Sequence, residues 1–244
     1  MKKDKLPLVT AVSSFDAVVL CDGDYPSHAV ALSILQHAKY LVCCDGAGMH
    51  YILHGGTPDA IVGDGDSLPD DFKRRYADLV HLVDEQDDND QTKATRFCMK
   101  QGMRRIAYLG CTGKREDHTL CNISLIMRYM REWGLDVTMI TDTGYFVPAS
   151  GLQAFETFAR QQVSIFNFGC TRLSAKGLKW KPYPYKEWWQ GGLNEALDNE
   201  VVMNGDGDYL MFSPSMPKFQ NHEQSTGTKK GRQTSSQGPS PRYL

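Results

Sequence analysis

The chain has 244 residues, 41% hydrophobic and 23% charged, enough to bury a core in one large domain or two smaller ones. Its 27 basic and 29 acidic residues leave a net charge of −2, so no overall field directs it to nucleic acid or an anionic membrane. No apolar run reaches bilayer length, and the basic start Met1-Lys2-Lys3 lacks the continuous apolar core of an export signal, so a cytoplasmic location is expected.

From Phe15 onward, short apolar runs alternate with longer helical patterns. The runs 17–21, 40–44, 60–62, 79–83, 106–109 and 137–140 are nearly all apolar, as strands covered on both faces are. Between them, Ser27 is placed to cap a helix with Ala29, Leu32, Ile34 and Leu35 on its apolar side, and Pro69 to open one over 70–76. Asn89 or Asp90 caps a third, running through Met99, and the longest spans 118–133 with Gly134 as its stop. This alternation predicts an α/β domain with a parallel, doubly wound, Rossmann-like sheet over 1–147.

After about Pro148 the spacing changes. The segments 155–158, 163–168, 200–203 and 209–212 cluster as strands without helix-length spacers, predicting a small antiparallel domain over 148–217. From 218 to 244 the composition turns to Gln, Ser, Thr, Gly, Lys and Pro, including Lys229, Lys230 and Arg232, and a disordered tail is expected. Seven cysteines, without a Cys-x-x-Cys spacing and mostly within apolar runs, are expected to be reduced core thiols.

Three acidic bends each follow a predicted strand: Asp64-Gly65-Asp66, the segment from Asp84 to Asp90, and Lys114-Arg115-Glu116-Asp117-His118. In a parallel sheet the strand ends share one rim, so these bends are expected to converge. One aspartate at a bend is commonly a cap or turn residue, but several converging carboxylates repel unless a cation neutralises them. The ligands on offer are oxygens, with no zinc-type His/Cys spacing, so magnesium is favoured. Arg115 suits bidentate phosphate contact, and Lys93 and His118 stand near the acids as phosphate contacts or as an ion-pair and a turn partner. Gly46-Ala47-Gly48 after a strand fits a nucleotide loop or a turn's geometry, and Trp180 fits a stacking surface or ordinary packing.

In order and spacing these motifs resemble those of the thiamine pyrophosphokinase family. The carriers are Asp45-Gly46-Ala47, the stretch 58–67, the stretch 84–90 with Lys93-Ala94, and the stretch 113–120 with Asn122. Gly177-Leu178-Lys179-Trp180 and Asn199-Glu200 complete the set, so most of 40–212 is covered. The resemblance implies diphosphate transfer from ATP to thiamine, an α/β domain followed by a β-sandwich, and a homodimer with sites between subunits. It implies that Asp64, Asp66, Asp90 and Asp117 hold Mg2+ and act in catalysis with Arg115. It places Asp45, Gln86, Asn89, Lys93, Arg115 and His118 at ATP, and Trp180, Asp198 and Asn199 at thiamine. From the chemistry of the carboxylates, Asp90 or Asp66 is a candidate to take the hydroxyl proton. The chain departs from the family at Gly65, Lys114, Lys176, Ala196 and Asp198. The alternatives are a metal-dependent diphosphotransferase or nucleotide hydrolase on another substrate, and a non-catalytic thiamine- or nucleotide-binding regulator.

Overall fold

Six parallel strands form the first part of the sheet: β1 (Ala17–Leu20), β2 (Leu41–Cys44), β3 (Ala60–Gly63), β4 (Val80–Leu82), β5 (Arg105–Leu109) and β6 (Asp136–Ile140). A computed structural model describes residues 5–215 of the chain; the tail expected over 218–244 lies outside the described residues. The spatial order β6-β5-β1-β2-β3-β4 reverses direction at β1, so connections wind to both sides of the sheet.

Strand side chains alternate between faces, and the sequence supplies apolar groups to both. Val18, Leu20, Cys43, Ile61 and Leu109 face α1 (Ala29–Gln36) and α2 (Gly46–Leu53), with Phe72 of α3 (Asp70–Arg75) beside them. Ala17, Val19, Val42, Val62, Ile106 and Tyr108 face α4 (Asp90–Lys100) and α5 (Glu116–Trp133). The hydroxyls buried on that second face are satisfied: Thr95 Oγ1 lies 2.9 Å from Tyr108 Oη and Thr92 Oγ1 2.8 Å from Tyr129 Oη. These bonds pin α4 to β5 and α5, which fixes where its first turn meets the strand ends.

Several local expectations shift. The cap of α1 is His28, whose Nδ1 accepts from Val30 N–H, because Asp142 holds Ser27 through its N–H and hydroxyl. Pro69 sits just outside α3, and α5 begins at Glu116 rather than His118. Residues 46–53 form a helix with too little apolar periodicity to stand out. Gly48 is required there, since a Cβ would come within 2.6 Å of Ile61 as α2 packs on β3. His81 and Leu82 are exposed because β4 is the sheet's edge and pairs only with β3.

A turn at 141–143, closed by Thr141 N–H to the Gly144 carbonyl, reverses the chain into β7 (Gly144–Glu156). β7 pairs antiparallel with β6 and β11 (Glu200–Pro214), and β11 also takes β8 (Gln162–Phe168) and β9 (Leu173–Lys176). β10 (Asn194–Glu195) adds to β8. The segments 200–203 and 209–212, expected as two strands, are one long strand with a register shift between Asn204 and Asp208, where two glycines let it bend. Phe155, Val163, Ile165, Val201, Met203, Tyr209 and Met211 fill the antiparallel region. The α/β region with antiparallel strands after it is the fold expected from the sequence.

Candidate active site

A cleft of about 590 Å3 opens where the parallel strands end and the next loops or helices begin. Asp22 and Gly23 reach it from the end of β1, Asp45 and Gly46 from β2, Asp64 from β3, Gln86 to Asp90 from β4, and Gly113 to Arg115 from β5. The three acidic bends therefore share one rim. A fourth acidic turn, Cys21-Asp22-Gly23-Asp24, follows β1 at the same rim; the strand-end rule applied to β1 would have found it.

Lys93 organises the floor. Its side chain is 2% exposed, and Nζ lies 3.1 Å from Asp64 Oδ2 and 3.4 Å from Asp90 Oδ1. Burial works against Lys93's charge, but the two carboxylates outweigh it and its pKa is raised. Burial also pushes Asp64 up, but the Asp66 N–H at 3.2 Å and Lys93 prevail and hold it below the usual range. Asp90 goes the other way: burial raises it, Lys93 opposes, and the charges of Asp64 and Asp45 add to the rise.

Asp45 is the strained member. Its backbone sits at φ 33° and ψ −112°, its side chain is buried, and Oδ2 accepts from the Ser67 N–H at 3.0 Å. Oδ1 has no hydrogen-bond partner. Asp64 and Asp90 sharing one ammonium, with an unsatisfied oxygen on Asp45, leave this floor with surplus negative charge, which fits a hard, oxygen-preferring cation. Among the described residues no three or more His, Cys, Asp or Glu side chains are already gathered as a metal cage.

The acidic segment 84–90 is held from behind. Arg96 pairs with Glu85 and Asp88, and Arg128 Nη1 reaches Asp88 Oδ1 at 2.8 Å, which anchors the segment while Gln86 to Asp90 line the cleft. Asn89 caps α4 through Oδ1 to the Thr92 N–H, and its amide donates to Asn122 Oδ1 at 2.9 Å. Lys114, Arg115 and His118 also line the cleft and bring basic side chains to it. Arg115 makes a two-pronged contact to Asp117, 3.0 and 2.5 Å, and that guanidinium holds Asp117 at a pKa of about 2.

Of the residues singled out in the sequence, Asp45, Asp64, Gln86, Asn89, Asp90, Lys93, Arg115 and His118 line this cleft. Asp66, in the loop after β3, and Asp117, in the first turn of α5, are exposed and act on lining residues, Asp64 and Arg115 respectively. Trp180, Asp198 and Asn199 stand in the antiparallel region and do not line the cleft of their own chain. Trp180 is 53% exposed beside Lys179, while its backbone N–H and carbonyl are both held by Asn194. The sequence also did not single out Cys21, Cys44 and Cys111, which meet at the floor with Cys21 Sγ 3.3 Å from Cys111 Sγ. All seven cysteines are free, and Cys121 alone among them is exposed.

The likenesses to known proteins run along the same residues. The family model "Thiamin pyrophosphokinase, catalytic domain" matches 31–139, and "Thiamin pyrophosphokinase, substrate-binding domain" matches 144–212, so the two cover most of the chain. Thiamin pyrophosphokinase 1 of Caenorhabditis elegans is 33% identical over 110 residues, 41% of this chain and 44% of that protein. Thiamine pyrophosphokinase 1 of Oryza sativa subsp. japonica is 30% identical over 148 residues, 50% of this chain and 55% of that one. These matches span about half the length of the two relatives. Yeast thiamin pyrophosphokinase superposes with a TM-score of 0.71 at 14% identity, covering 88% of this chain and 92% of that one. Thiamine pyrophosphokinase from Bacillus subtilis gives 0.66 at 18%, covering 81% and 98%. At such identities the solved structures establish the shared fold. With both family models matched in order on either side of the turn at 141–143, the chain belongs to the thiamin pyrophosphokinase family.

Proposed function

We propose that this chain transfers a diphosphate group from ATP to the hydroxyethyl oxygen of thiamine, giving thiamine diphosphate and AMP. The observation that carries the reading is one cleft lined both by carboxylates, Asp64 and Asp90 around Lys93, and by the basic side chains Lys114, Arg115 and His118. A magnesium polyphosphate needs both: carboxylates for the cation and cations for the phosphate oxygens.

In the proposed reaction the thiamine hydroxyl oxygen forms a bond to the β-phosphorus. The bond from that phosphorus to the α,β-bridging oxygen breaks, the bridging oxygen leaves on AMP, and a cleft carboxylate takes the hydroxyl proton. Asp64 and Asp90 are the proposed holders of magnesium, which when bound neutralises charge on the nonbridging oxygens. Asp66 keeps Asp64 in place through its N–H, and Asp117 keeps Arg115 in place. Lys93 sets the spacing of the two carboxylates, and Asp45, Gln86, Asn89 and His118 bound the nucleotide's share of the cleft. The rate then comes from positioning and from fixed charge facing the transferred group.

Trp180, Asp198 and Asn199 are the proposed thiamine contacts, with the indole stacking on a cationic ring. They do not line the cleft of their own chain, so we place the site between two copies, one giving the cleft and the other the Trp180 face. The exposed Trp180, Trp189, Leu193 and Leu197 supply apolar surface for that pairing. A reducing compartment, the cytoplasm, suits the seven free thiols, and among the described residues no helix is long and apolar enough to cross a membrane.

Incubating the protein with ATP, Mg2+ and thiamine tests the reading: AMP and thiamine diphosphate appear in equal amounts. Nucleotide hydrolysis without thiamine diphosphate, or binding of both compounds without turnover, overturns it.

A further inference from the structure

The turn after β5 carries two successive left-handed residues, Gly113 at φ 83° and Lys114 at φ 57°, and both line the cleft. Lys114 Nζ lies 3.0 Å from Asp22 Oδ1, in the turn after β1. That same oxygen lies 3.1 Å from His50 Nδ1, on α2. One carboxylate oxygen thus serves two nitrogens from two other elements, and all three side chains are 41% to 46% exposed. Exposed pairs of this kind contribute little net stability, so their partners exchange readily.

The other two long cations of the cleft are differently placed. Lys93 is buried between Asp64 and Asp90, and Arg115 is engaged by both oxygens of Asp117. Lys114 is neither buried like Lys93 nor gripped by two oxygens like Arg115: it reaches one oxygen of Asp22, and His50 Nδ1 remains on that oxygen when the ammonium leaves. A polyphosphate in the cleft would meet Asp22 as a repelling charge and Lys114 as an attracting one.

We propose that Lys114 is a polyphosphate ligand held in readiness by Asp22. The ammonium exchanges the Asp22 carboxylate for a nonbridging phosphate oxygen, while His50 stays with Asp22. The assignment rests on the diphosphotransfer reading for its natural ligand, a nucleoside triphosphate, but polyphosphate binding is measurable without turnover.

Isothermal titration of the full chain with inorganic tripolyphosphate tests it. Lys114→Gly, whose backbone accepts φ 57° freely, weakens binding about five- to tenfold, the scale of one charge-assisted hydrogen bond at a partly exposed site. Lys114→Arg recovers most of that loss. Asp22→Asn acts oppositely and tightens binding about threefold, because it removes the competitor and the repelling charge while leaving the cation. A pair that served only to strap two loops together would shift Kd in the same direction in both variants, and that outcome overturns the proposal, as does a Lys114→Gly value within about twofold of the parent. In thiamine diphosphate formation, KM for ATP follows the same order. If the parent chain binds tripolyphosphate with this pattern but makes no thiamine diphosphate, Lys114 stands and the diphosphotransfer reading falls.

Discussion

Lys93 reaches from the first turn of α4 to Asp64 at the end of β3, with Nζ 3.1 Å from Oδ2 and the lysine side chain almost wholly buried. Asp90, one turn before Lys93 on the same helix, shares the ammonium at 3.4 Å. Lys93→Met leaves two carboxylates facing each other without a cation. The unfolding free energy at pH 7 without metal should fall by about 2 kcal/mol in urea titrations, less than a fully buried pair would cost because both carboxylates are partly wet. Magnesium should return part of the loss, and a change under about 0.5 kcal/mol would contradict the assignment of Lys93 as the floor's counter-ion.

The opposite shifts of Asp64 and Asp90 have opposite consequences for stability against pH. Asp90 has a raised folded-state pKa, so in the window above its unfolded value of about 3.9 the folded chain holds more protons than the unfolded one. Its contribution to stability therefore declines as pH rises through that window. For Asp64, lowered in the fold, the contribution is present above about 3.9 and is lost as pH falls. Asp90→Asn should raise the metal-free melting temperature at pH 7 while abolishing turnover. A lowered melting temperature at pH 7 would show that Lys93's gain from Asp90 exceeds the burial cost.

Asp64→Asn keeps shape and removes charge. It should leave the fold cooperative by thermal unfolding and lower thiamine diphosphate formation a hundredfold or more, on the order expected when a fixed charge aimed at the reacting group is lost. Asp117→Asn should also lower turnover, by about tenfold, through a less well-held Arg115. Unchanged rates in either variant would remove that residue from the site.

Gly113 has φ 83°, and a Cβ there would run into the Asp24 carboxylate. Gly113→Ala should cost about 1–2 kcal/mol for the left-handed backbone, more if Asp24 cannot move, and should weaken ATP binding as Lys114 and Arg115 shift. Differential scanning calorimetry and ATP titration on one preparation check both parts.

Trp180, half in solvent, contributes little to its own chain's packing. Trp180→Ala should change stability by no more than about 0.5 kcal/mol yet raise KM for thiamine well above that of the parent, with KM for ATP little altered. A selective loss of ATP affinity would place the indole elsewhere. Leu193→Asp, at 71% exposure, should weaken self-association in sedimentation velocity if the apolar face joins two copies.

Much of this protein was legible in its sequence because local chemistry repeats at a known period. Apolar runs such as 40–44 and 60–62 read as strands covered on both faces, and the carboxylates that follow them are then expected at one rim. Asp64 and Asp90 could therefore be placed at the rim from sequence, whereas Lys93 read equally as a surface ion-pair partner and only the fold shows it buried between them. What needed the tertiary structure were pairings between residues far apart in the chain: Lys114 with Asp22, Ser27 with Asp142, the three thiols at the floor, and the single strand made of 200–203 and 209–212. Periodicity reports which face of its own element a side chain occupies, whereas these contacts depend on strand order, and the order β6-β5-β1-β2-β3-β4 is decided by how the helices cover both faces of the sheet at once.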